Sequence, residues 1–121
     1  MKLDLAGKAV DGILFEYGVT LQVEGGTLLI FESAFSITHS NGRRVMVDPQ
    51  GIGGSPDILI ALHDEVLSAE FEEAGTLRVV MKRSTWFAEP SAAHESWSIL
   101  SNGNPTRVLC GPGPFNVSIW S

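Results

Sequence analysis

The chain has 121 residues, 44% hydrophobic and 18% charged, with a formal net charge of −6. That length suits one domain able to bury a core without staples, and the composition lies outside the disordered class. A net negative charge argues against binding a phosphate backbone, no apolar run reaches the ~20 residues of a membrane helix, and a single cysteine, Cys110, excludes an intramolecular disulfide and a Cys-based zinc cluster.

Residues 1–12 carry Asp4 and no apolar run, so they do not read as a secretory signal and a cytoplasmic protein is expected. The first clear unit is 19–32, where Gly25-Gly26 fits a two-residue hairpin loop. That loop predicts Val23 opposite Leu28 and Leu21 opposite Ile30 on one face. Leu29 and Phe31 then lie on the other face, which is therefore expected to be partly covered too. Asn41-Gly42 predicts a second hairpin between 35–39 and 43–48. Residues 49–55 read as a loop, and Ser55-Pro56-Asp57 as N-cap, first helical position and first-turn acid. The expected helix is short, buries Ile58, Leu59 and Leu62, and ends near Asp64.

A third hairpin is predicted around Glu73-Ala74-Gly75, with Leu67, Ala69 and Phe71 against Met81, Val79 and Leu77, and Glu70 opposite Arg78. Residues 90–93 break the pattern, and strands are expected at 95–100, 107–110 and 115–120, the first two flanking the Asn102–Pro105 turn. The fold class is mainly β (α+β): one domain of antiparallel hairpins forming a sandwich, a roll or a half-open barrel, with one short helix. Hydrophobic pattern does not separate those three.

Residue types that carry chemistry are present without the spacing that chemistry needs. His39, His63 and His94 form no i,i+2 or i,i+4 pair, and His94-Glu95 lacks the second histidine of a zincin, so no metal or other cofactor is expected. Cys110 precedes Gly-Pro-Gly-Pro with no accompanying base, which reads as inert packing. Gly51 to Ser55 before the helix lacks the lysine of a phosphate loop and reads as a connector. The carboxylates Asp64, Glu65, Glu70, Glu72 and Glu73 crowd one stretch; a solvated face is the ordinary reading, and a docking surface for a cationic partner the functional one. Of three tryptophans, Trp97 reads as core, whereas Trp86 beside a break and Trp120 near the end suit either edge capping or exposed interface anchors.

The stretch from Pro56 through the 68–81 hairpin, His94-Glu-Ser-Trp-Ser-Ile99 and Arg107-Val-Leu-Cys-Gly-Pro112 resembles a group of small uncharacterised bacterial β-rich proteins, over roughly the C-terminal two thirds of the chain. The resemblance departs at His94, where that group has an aromatic residue, and it implies no catalytic residue. Small proteins of that kind are often immunity partners of toxins, which is an association only. The leading expectation is a non-catalytic protein-binding module, most concretely an immunity-type protein facing a basic toxin through Glu70, Glu72, Glu73, Trp86 and Trp120, with no nucleic-acid or membrane partner. The alternative is a β-rich domain binding a small or apolar ligand, and an enzyme comes third.

Overall fold

A computed structural model describes residues 1–16, 18–49 and 56–121. The expected N-cap at Ser55 and the glycine-rich connector lie outside them. Among the described residues, twelve strands and one helical turn follow in chain order: β1 (Lys2–Leu3), β2 (Val10–Leu14), β3 (Val19–Val23), β4 (Thr27–Phe31), β5 (Phe35–His39), β6 (Arg44–Val47), α1 (Pro56–Leu59), β7 (Val66–Phe71), β8 (Leu77–Met81), β9 (Ser84–Ala88), β10 (Trp97–Leu100), β11 (Arg107–Cys110) and β12 (Val117–Trp120). They build two six-stranded antiparallel sheets, β1-β7-β8-β9-β5-β6 and β12-β11-β10-β4-β3-β2. The arrangement is a sandwich. One corner is tied by backbone hydrogen bonds from Val10 N–H to the Asp64 carbonyl (2.9 Å) and from Val66 N–H to the Lys8 carbonyl (2.8 Å). No helix among the described residues is long and apolar enough to cross a membrane.

The core lies between the sheets. Phe31, Phe35 and Trp86 form its aromatic centre, with Phe35 stacked on Trp86 at 5.0 Å and Phe31 edge-on to it at 5.3 Å. Trp97 packs against Phe71 at 5.7 Å and donates its indole N–H to the Gly75 carbonyl at 2.8 Å, so its buried donor is satisfied.

The β3–β4 hairpin departs from the expected register by one residue. Its loop has three residues, 24–26, closed by Gly26 N–H to the Val23 carbonyl, with Gly25 at φ 89° in the position that needs a positive φ. Val23 therefore pairs with Thr27 and Leu21 with Leu29. Leu29 and Phe31 are fully buried, while Leu28 and Ile30 turn outward. A slip of one residue exchanges the two faces of a strand, and both faces of β4 carry apolar residues, so pattern did not specify the register.

In the β7–β8 hairpin Glu70 pairs with Arg78 and Phe71 with Leu77, as expected. A bulge between Val66 and Ser68 reverses the parity beyond it, so Val66 opposes Met81 in the core and Leu67 stands 47% exposed. The helix is also shorter than expected. After α1 the chain continues in i→i+3 turns to Asp64. That tighter winding buries Ile58 and Ala61 and leaves Leu59 exposed. Strands β1, β2 and β9 were not expected; Gly12 marks a bulge in β2, and β9 follows β8 after only Lys82 and Arg83.

Candidate functional site

Two turns bring charge and apolar surface together at one end of the sandwich. The β7–β8 turn is closed by Glu72 N–H to the Thr76 carbonyl and Gly75 N–H to the Glu72 carbonyl, both 3.0 Å, leaving Glu72 and Glu73 exposed. Gly75 holds φ 111° there, and a Cβ on it would meet Pro90 at 3.1 Å and the Cys110 sulfur at 3.2 Å. Phe115 N–H donates to the Ala74 carbonyl at 3.1 Å, which pins the segment before β12 against this turn. A groove of about 290 Å³ results, lined by Phe71, Glu73, Phe115, Val117 and Ile119. Phe115 is 76% exposed, the most exposed of the large apolar side chains among the described residues.

Of the five residues singled out in the sequence, only Glu72 and Glu73 belong to this place. Glu70 sits on the outward face of its sheet in register between Lys2 and Arg78, so two cations flank its charge. Trp86 is a correction: it is wholly buried in β9 and presents nothing to a partner. Trp120 is 44% exposed but points to the opposite face of β12 from Ile119, with the Arg107 guanidinium 5.0 Å from its ring. Phe115 was not singled out in the sequence. The signal was there in Gly-Pro-Gly-Pro immediately before it, a run that no strand partner can cover.

A second cavity, about 810 Å³, opens elsewhere, among Glu32, Asp48, Ser91, His94, Glu95 and Pro112. Glu32 N–H donates to the Ser96 carbonyl at 2.9 Å, and the Ser33 hydroxyl donates to the Glu95 carbonyl at 2.7 Å, which sets the two glutamates side by side. Burial, a hydrogen bond with the Glu95 carboxyl and repulsion from it push Glu32 above the usual carboxylate range. The cavity suits a positively charged group. Among the described residues no three His, Cys, Asp or Glu side chains converge as metal ligands.

The remaining reactive types are tied into the scaffold. His39 Nε2 lies 2.9 Å from Asp57 Oδ1, and Arg43 Nη2 donates to the same oxygen at 2.8 Å, linking the β5–β6 hairpin to α1. The Arg43 hydrogen bond, aided by His39, holds the Asp57 carboxyl below its usual range despite some desolvation. Cys110 is buried with its sulfur 3.5 Å from the Gly75 carbonyl, and burial pushes the thiol up, away from nucleophilic character.

A protein-family model, described as a family of unknown function (DUF6188), matches residues 1–121, the whole chain rather than its C-terminal two thirds. No curated protein and no solved structure matches it.

Proposed function

We propose that this chain, which belongs to the family of unknown function DUF6188, is a non-catalytic protein-binding module that receives a cationic partner at the β7–β8 turn and the start of β12. The observation that carries the reading is the groove lined by Phe71, exposed Phe115, Val117 and Ile119, with Glu73 in its wall and exposed Glu72 beside it in the turn. Charge steers a basic partner to the rim, and a desolvated aromatic supplies the anchor that charge alone lacks. In its most concrete form the partner is a toxin whose basic active-site surface this immunity-type protein covers. Buried Cys110, with its raised thiol, supports binding over nucleophilic catalysis. The experiment is affinity capture with three baits: wild type, Glu72→Lys/Glu73→Lys and Phe115→Ala. A basic protein held by the wild type and lost from both variants supports the reading, and equal retention by all three sinks it. A second reading, a small cationic ligand, rests on the acidic cavity at Glu32, Asp48 and Glu95; retention lost only with Glu95→Lys points there instead.

A further inference from the structure

A sheet leaves backbone groups unpaired at its edges, and the edge strands here are β1 and β6 in one sheet and β12 and β2 in the other. Three of them are blunted in the ways that keep other chains off. β1 is two residues long and opens on exposed Lys2, and β6 opens on exposed Arg44. β2 is bulged between Val10 and Gly12, with exposed Asp11 in the bulge. β12 has none of these protections. Val117, Ser118, Ile119 and Trp120 include no charge, proline or glycine, and their register with β11 runs without a break.

The unpaired side of β12 follows from its hydrogen bonds. Gly111 N–H donates to the Asn116 carbonyl at 2.9 Å and Thr106 N–H to the Trp120 carbonyl at 2.8 Å, so Asn116 and Trp120 turn their backbone groups toward β11. An antiparallel ladder alternates, so Val117 and Ile119 turn theirs away, and among the described residues no strand pairs with that side. The side chains of the same two residues stand in register with buried Cys110 and Val108, on the face that looks to the other sheet. Ile119 is nevertheless 46% exposed, because the sheet ends there. Both line the groove shared with Phe71, Glu73 and Phe115.

From this juxtaposition we propose that the partner adds a strand to the free edge of β12: an extended segment with apolar side chains at alternate positions and a lysine or arginine where it passes Glu73. This mode of binding, which rests on the docking reading above, specifies the form of the partner there. Backbone and side chains select the same occupant. Outward N–H and C=O groups at strand spacing are satisfied by another extended backbone. Val117 and Ile119 offer apolar contact at every second residue, the period of a strand. Glu73 is the charged member of the groove's lining and, with exposed Glu72 beside it, attracts a cation. A second copy would bring a further net charge of −6 instead.

The test titrates a fluorescein-labelled peptide, Lys-Lys-Val-Thr-Val-Thr-Val, into wild type, Ile119→Ala, Ile119→Pro and Glu72→Lys/Glu73→Lys, read by fluorescence anisotropy. Ile119→Ala removes the side chain alone. Ile119→Pro also removes the outward N–H, which β11 does not use, so an edge strand tolerates it. Wild type should bind, and Ile119→Pro should bind about tenfold more weakly than Ile119→Ala, the effect of a lost backbone hydrogen bond. Equal affinities of those two variants overturn strand addition; if the glutamate variant has lost the peptide in the same series, the docking reading stands without it. A wild type that does not bind the peptide overturns strand addition as well. Amide exchange followed by NMR keeps the test open if Ile119→Pro fails to fold. Saturating peptide should slow exchange at Val117 and Ile119 of the wild type about tenfold or more. Unchanged exchange overturns the proposal, as does protection of the same amides in concentrated wild type alone, which would put a second copy at the edge.

Discussion

Trp86 lies inside the Phe31–Phe35 cluster, while Trp120 rests on the surface over Arg107. Their substitutions should separate accordingly. Trp86→Ala is expected to cost about 3–5 kcal/mol in urea unfolding, as large-to-small changes in a packed core do. Trp120→Ala should stay within roughly 0.5 kcal/mol. The indole N–H of Trp86 has no hydrogen-bond partner among the described residues, so Trp86→Phe should cost clearly less than Trp86→Ala: it keeps a ring and removes that donor.

Two carboxyls give opposite pH signatures. The folded protein holds a proton on Glu32 more tightly than the unfolded chain does, so this group weakens stability as pH rises through and above the ordinary carboxyl range. Glu32→Gln should therefore raise the melting temperature at pH ~7, and the gain should vanish below pH ~4 where both states are protonated. Asp57 runs the other way. Its folded value is depressed, so its contribution is present above the ordinary aspartate range and is lost as pH falls through the folded value. Asp57→Asn should lower the melting temperature at neutral pH and match wild type in strong acid. Thermal scans across that range check both signs.

At the level of elements, the hairpin turns show how one glycine differs from another. Gly42 has φ 90° with open space where a Cβ would stand, so Gly42→Ala should cost only the backbone term, about 1–2 kcal/mol. Gly75 adds contacts with Pro90 and Cys110 to its positive φ, and Gly75→Ala should cost more, measured by the same unfolding experiment. The β7–β8 hairpin was readable because its loop holds one glycine in the left-handed position and only one face of Ala69 to Phe71 is apolar. The β3–β4 hairpin misled because two adjacent glycines allow either a two- or a three-residue loop, and apolar residues on both faces of β4 satisfy either register. At the candidate interface, the exposed glutamates of the β7–β8 turn were legible. The groove was not, because Phe115 meets Ala74 across 41 positions of sequence (115 minus 74).

For the whole molecule, association should respond to salt. A cationic partner drawn to Glu72 and Glu73 should associate more slowly as ionic strength rises, because screening removes the attraction. Stopped-flow association with a captured partner at low and high salt measures the slope.

The sequence by itself determined that this is one β-rich chain of antiparallel hairpins, where three of its turns fall, and that Trp97 and Cys110 are core. These follow from local chemistry: the positive φ that glycine permits, the two-residue period of a strand, the absence of ligand spacing. Only the tertiary structure decided which of two apolar faces of β4 is inside, that Trp86 is core rather than surface, and that the hairpins stack as two sheets. Each of those depends on what packs from the other sheet, and burial is a property of pairs of distant segments.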